Sequence, residues 1–166
     1  MATKIQVPVE DYLRTSFAGP DREYLDGEIV ERNVGSNPHS KAQGRLTGYF
    51  YNLGSQFPLH VRPEIRMRVG DQRYRIADLA VYEGKEPQGT VPAETPLVVI
   101  EILSPDDRMS ETLNKLSEYR AWGVRHVWLV DPDTRSLYRY GDSGLSETDA
   151  FQLSEFEVRI AVTGIC

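Results

Sequence analysis

Arg75-Ile76-Ala77-Asp78-Leu79-Ala80-Val81 and Leu97-Val98-Val99-Ile100-Glu101-Ile102-Leu103-Ser104 are two short apolar runs, each interrupted by one carboxylate. Runs of this length and composition read as strands, the second as one buried on both faces. A carboxylate inside such a strand carries a desolvation penalty unless it is paired or bound to a metal. If the strands neighbour one another, Asp78 and Glu101 can reach one divalent cation, and all-oxygen ligation suits Mg²⁺ or Mn²⁺. The backbone carbonyl of Ile102 is a further candidate ligand. Lys115 sits one helix later, where its ammonium can return over the sheet to orient a water or stabilise charge on a phosphate. The structural alternative pairs the two acids with Arg73 or Arg75, and Lys115 with Glu111 and Glu118 on its own helix.

Working outward, Val61, Pro63, Ile65, Met67 and Val69 alternate with Arg62, Glu64, Arg66 and Arg68. That is the period of a half-buried strand, which Gly70-Asp71 turns into an antiparallel partner over Tyr74–Tyr82. The Gly- and Pro-containing stretch 84–96 reads as a surface loop. A helix is predicted from about Asp107 to Trp122, with Leu113, Leu116, Tyr119 and Trp122 on its buried side and Gly123 ending it. Val124–Val130 follows as a second central strand, so strand, helix and strand form one crossover unit. Trp122 and Trp128 are expected to pack that helix on its sheet, and Ser104 to cap the segment after the second acid.

Toward the N-terminus, 9–17 predicts a short helix and Asp26-Gly27 a hairpin turn within Tyr24–Val30. A second helix runs from Pro38 to about Leu53, with Asn37 as its N-cap. Toward the C-terminus, Asp131-Pro132-Asp133 turns the chain into a final hairpin-like pair, Ser136–Tyr140 with Phe156–Val162. The expected class is α/β (α+β), a mixed sheet flanked by helices in a single domain spanning 1–166.

At 166 residues the chain is long enough for one substantial core. Its net charge of −6 argues against diffuse attraction to a polyanion. Arg62, Arg66, Arg68, Arg73 and Arg75 nevertheless crowd one stretch and define a candidate basic face. The single cysteine, Cys166, excludes an internal disulfide and a Cys-based zinc cluster and fits a cytoplasmic setting. No apolar run is long enough to span a bilayer, and Met1–Ile5 carries no signal-peptide core, so a soluble protein without a membrane partner is expected. The sequence has no Gly-x-Ser-x-Gly elbow, no phosphate-binding Gly-rich loop ending in Lys-Ser or Lys-Thr, and no His-Glu-x-x-His pair.

The order Ala77-Asp78-Leu79-Ala80-Val81, Val99-Ile100-Glu101-Ile102-Leu103-Ser104-Pro105, Lys115 with Tyr119, then Val127-Trp128-Leu129-Val130-Asp131-Pro132 resembles the Uma-two family of restriction-endonuclease-like proteins. That family lies in the PD-(D/E)XK nuclease superfamily, and the resemblance covers about Tyr24 to Asp131. It implies the restriction-endonuclease-like fold, Mg²⁺-dependent cleavage of phosphodiester bonds and, often, a homodimer; the expected enzyme is a metal-dependent nuclease of the endonuclease class with DNA as its substrate, the sequence itself not distinguishing endo from exo cleavage. Two positions depart from the superfamily pattern. Ala77 replaces the proline before the first acid, and Leu103 stands where the lysine is usually found, two residues after the second. The resemblance makes Lys115 the substitute. Glu64, His39 and Glu28 are accessory candidates, Glu28 as the acid the family carries near its first hairpin. The competing expectation is a module that keeps the fold without cleavage and binds nucleic acid or a protein partner, which the displaced lysine and acidic charge favour.

Overall fold

The computed structural model describes residues 6–166; the N-terminal Met1–Ile5, read above for a signal-peptide core, lies outside the described residues. The elements are α1 (Val9–Arg14), β1 (Glu23–Leu25), β2 (Glu28–Val30), α2 (Asn37–Leu53), β3 (Leu59–Gly70), β4 (Arg73–Glu83), β5 (Val98–Ile102), α3 (Met109–Trp122), β6 (His126–Asp131), β7 (Ser136–Gly141), β8 (Gly144–Thr148), β9 (Ala150–Leu153) and β10 (Val158–Ala161). Eight strands form one mixed sheet in the order β2-β1-β4-β5-β6-β7-β8, with β3 paired to β4, while β9 and β10 form a separate hairpin. Among the described residues no helix is long and apolar enough to cross a membrane.

The predicted crossover is present: β5 and β6 are parallel, with Val98 opposite His126 and Ile102 opposite Val130. Alternate residues of these strands feed two cores. Val98, Ile100, Ile102, Trp128 and Val130 pack with Leu46 and Phe50 of α2 and with Phe151 and Ile160 of the small hairpin. Val99, Val127 and Leu129 pack with Leu116 and Tyr119 of α3, and half-buried Trp122 joins them. Trp128 therefore does not support the crossover helix as expected. With a strand period of two it faces the opposite side, stacked on Phe151 with ring centroids 4.3 Å apart.

Several boundaries differ from the sequence reading. Helix α1 ends at Arg14 rather than Phe17, and α3 begins at Met109 rather than Asp107. The cap of α2 is Ser36, whose side chain accepts from the His39 N–H, so Asn37 is already helical. Ser104 does not cap by its side chain. Instead Asp107 closes that turn, accepting from the Ser104 N–H at 2.7 Å. The C-terminal prediction is corrected most: β7 pairs with β8, β9 with β10, and Phe156 lies in a 3₁₀ turn between β9 and β10.

One irregularity positions the site. Strand β3 pairs along most of one edge of β4, so β1 and β5 must share the other. Strand β1 covers Arg73 and Tyr74, and β5 covers Leu79, Ala80 and Val81. Residues 75–78 are left open between them. Backbone polar groups exposed in such a gap need partners from elsewhere. Asp26 (φ 50) and Gly27 (φ 95) make the tight turn that returns β2 along β1 and so fixes where β1 ends beside the gap.

Candidate active site

The opening in β4 is filled by side chains that replace the missing ladder. Glu23 Oε1 accepts from the Ile76 N–H at 2.9 Å, and Lys115 Nζ donates to the Ile76 carbonyl at 2.7 Å. Asp78 Oδ2 accepts from the Ile102 N–H at 2.8 Å. The β4–β5 register pairs Leu79 with Ile100, so one step further along it Asp78 stands opposite Glu101. Asp78, Glu101 and Lys115, three residues singled out in the sequence, thus line one cleft of about 650 Å³, together with Glu23, Arg32, His39 and Ile102.

Glu101 is buried in the α3-facing layer. Its Oε1 accepts from the Tyr119 hydroxyl at 2.8 Å and its Oε2 from Lys115 Nζ at 3.1 Å. Tyr119 lies one helical turn beyond Lys115, so α3 presents both donors from the same face. Lys115 also lies 2.9 Å from Glu23 Oε1. It does not pair with Glu111 or Glu118 along its helix. Glu111 lies near Arg108, and Glu118 is taken by Arg73 and Arg75. Nor do those arginines pair with Asp78 or Glu101: Arg75 holds Glu23 and Glu118, and Arg73 holds Asp26 and Glu118.

The electrostatics separate the two strand acids. Burial pushes Glu101 up to about 7; Lys115 opposes that push, and the negative charges of Asp78 and Glu23 reinforce it. Burial acts on Asp78 in the same sense but is outweighed by His39, Lys115 and Arg32, which hold it below the usual carboxylate range. Glu23 is likewise held low against burial by Lys115, Arg75 and the Ile76 N–H. Lys115 is raised: desolvation disfavours its charge, but Glu101, Glu23 and Asp78 together outweigh it. Two adjacent carboxylates with affinities pushed apart are a common mark of a functional site.

The accessory candidates divide. His39 is buried, with Nε2 3.3 Å from Asp78 Oδ2. Burial disfavours its charged form, yet Asp78 raises its proton affinity overall, helped by Glu64 and Asp107. Glu64 does not line the cleft itself; it has a left-handed backbone (φ 49) and reaches the site through Arg32 Nη1 at 2.6 Å and Gln43 Nε2 at 2.8 Å. Gln43 also donates to the Asp78 carbonyl at 2.9 Å. Glu28 is exposed on β2 opposite Leu25 and does not line the cleft. The hairpin acid that does is Glu23, on the other strand. Sequence reasoning passed over Glu23, Arg32 and Gln43. The available signal was Glu23 directly before the apolar Tyr24-Leu25 of a predicted hairpin.

The expected basic face is not bare. Arg62 pairs with Glu86, Arg66 with Asp21 and Arg68 with Asp71, in addition to the pairs of Arg73 and Arg75. Of these five only Arg73 and Arg75 line the cleft, where Arg32 and Lys115 add to the positive charge.

The donor set fits a hard divalent cation. Asp78 Oδ1 accepts from Arg32 and Glu101 Oε2 from Lys115, so each oxygen keeps a lone pair. Among the described residues no three His, Cys, Asp or Glu side chains converge as a metal cluster. A cation here would be completed by backbone, water and substrate oxygens, the mode in which Mg²⁺ commonly binds.

No curated protein matches the chain. Among solved structures, a "putative nuclease belonging to DUF820" from Anabaena variabilis superposes with a TM-score of 0.83 at 18% identity, over 96% of this chain and 97% of that one. The chain therefore shares the fold of that structure, a mixed sheet flanked by helices. The family model described as "Putative restriction endonuclease" matches residues 9–161, and the chain belongs to that family, Uma2.

Proposed function

We propose that the protein is a divalent-metal-dependent deoxyribonuclease. The observation that carries this reading is the meeting of Lys115 with Glu101, beside Asp78, in a cleft that three different elements build. Asp78, Glu101 and the Ile102 carbonyl would hold Mg²⁺ or Mn²⁺. When bound, the ion would polarise a phosphodiester and acidify an attacking water.

The chain's own groups would do the rest. Lys115 is fixed by Glu101, Glu23 and the Ile76 carbonyl, so its positive charge is held in place to meet negative charge developing on a phosphate, and a water would take one of these three donors only in exchange. Tyr119 fixes the Glu101 carboxylate, and His39 and the Ile102 N–H fix that of Asp78. Pairing of two copies, which the family resemblance implies, belongs to the same reading and is checked by the sedimentation of the chain with and without DNA.

The test is a plasmid-nicking assay with Mg²⁺ or Mn²⁺, run beside calorimetric titration of the same ions. Wild-type protein is expected to bind metal and nick DNA. Glu101→Ala is expected to lose both, and Lys115→Ala to lose nicking while keeping metal. Metal uptake without nicking of any DNA form would favour the catalytically silent module, and no metal uptake would sink the proposal.

A further inference from the structure

Arg32 belongs to no helix or strand, yet its side chain is only 14% exposed. It projects from the loop 31–36 between β2 and α2, and its guanidinium bridges two strands. Nη2 donates to Asp78 Oδ1 at 3.0 Å and Nη1 to Glu64 Oε2 at 2.6 Å. The loop is tied to the segment after β5 by Asn33 Nδ2, which donates to Asp107 Oδ1 at 2.8 Å. This tie sets Arg32 in the wall of the cleft, next to the carboxylate assigned to the cation. A guanidinium carries five N–H donors in a planar fork. The two acids accept only two of these donors, and Arg32 is itself a lining residue of the cleft.

We propose that Arg32 binds the scissile phosphate and restrains the cation affinity of Asp78 until a phosphate arrives. The assignment rests on the function proposed above. Arg32 and a divalent cation carry the same sign of charge and share Asp78 as partner, so each lowers the other's attraction to it. A phosphodiester brought between them is an anion that both attract, and a guanidinium meets phosphate oxygens in bidentate fashion. Metal and substrate therefore bind with positive coupling: metal weakly alone, more tightly with DNA.

The experiment titrates Mn²⁺ alone into wild type, Arg32→Ala and Arg32→Lys, and measures binding of a short labelled DNA duplex in Ca²⁺. Arg32→Ala is expected to bind Mn²⁺ roughly tenfold more tightly and DNA roughly tenfold more weakly. Arg32→Lys keeps the charge but not the fork, so its Mn²⁺ affinity should match wild type while its DNA affinity stays reduced. Arg32→Ala with unchanged or weaker Mn²⁺ affinity, or with wild-type DNA affinity, overturns the assignment. If Arg32→Ala shows no cooperative unfolding transition, Arg32→Lys decides: wild-type DNA binding by that variant overturns it. A wild-type protein that takes up no Mn²⁺ overturns the proposed function itself, and the role of Arg32 with it.

Discussion

Lys115 Nζ lies 3.1 Å from Glu101 Oε2, although the lysine comes from the middle of helix α3 and the glutamate from strand β5. Position 103, two residues beyond Glu101 on the same side of the strand, is leucine and lines the same cleft. The helix thus delivers an ammonium to the same cleft that position 103 lines from just beyond the strand.

That geometry makes a relocation test. Lys115→Ala should lower cleavage by about 10²-fold or more, the scale of losing one preorganised charge donor. Adding Leu103→Lys to Lys115→Ala should recover at least about tenfold, because preorganised charge acts from where it sits and not from its place in sequence. Rates of supercoiled-plasmid nicking by the single and double variants check this. A double variant as slow as Lys115→Ala would show that Lys115 is needed for the integrity of the cleft alone.

Glu23 is expected to act through Lys115. Glu23→Gln keeps the shape and a hydrogen-bonding oxygen but removes the charge that Lys115 and Arg75 share. Loss of groups that orient a site commonly costs 10- to 100-fold, so kcat should fall by about tenfold or more with KM little changed. Steady-state kinetics on an oligonucleotide substrate separates the two parameters. A fall in thermal stability with kcat intact would make Glu23 a structural residue only.

Much of this site was legible because its chemistry conflicts with its surroundings. Carboxylates at positions 78 and 101 interrupt apolar strands, and the β5-α3-β6 unit announces itself by its periodicity. Glu23 left only the weak signal of its place before Tyr24-Leu25, because β1 has three residues and shows no period. The burial of His39 and Arg32 depends on how the loop 31–36 folds back over β4, which no local pattern encodes. The C-terminal strands were misread for a related reason. Gly144–Thr148 is a largely polar strand at the end of the sheet, so it has no alternating apolar face to betray it, and the apolar Phe156 marks a turn.

Glu101 predicts a pH dependence of stability. Its folded value of about 7 lies above the ordinary 4.5, so the folded chain binds this proton more tightly than the unfolded one. Because burial outweighs the Lys115 partner, the sign is opposite to that of an acid held low by its partners: the contribution is present below about pH 4.5 and is lost as pH rises through about 7. The full span corresponds to at most about 3 kcal/mol. Thermal unfolding should show wild type losing stability relative to Glu101→Gln across that window. Added Mg²⁺ should raise the transition more at pH above 7 than at pH 5, since a cation needs the ionised carboxylate. Parallel stability profiles for the two proteins would contradict this.

Two glycines, Gly35 just before α2 and Gly44 within it, give a last contrast. A Cβ built on Gly35 would stand 2.6 Å from His39 Nδ1, too close for the ring to keep its place. The ring is held by its contact with Asp78 and by burial, so Gly35→Ala should turn or displace it and loosen the hold on Asp78 Oδ2. Gly44 is exposed in the middle of the same helix, and a Cβ there meets nothing within 4 Å. Gly44→Ala should stabilise the protein by about 0.5–1 kcal/mol, since alanine loses less backbone entropy in a helix. The two changes are chemically identical and nine positions apart, yet only the first should slow cleavage, by about tenfold, the low end of losses from orienting contacts. Denaturant unfolding and nicking rates measured on both variants check the pair. Equal activity in both would mean that the His39 contact with Asp78 does not matter to the reaction.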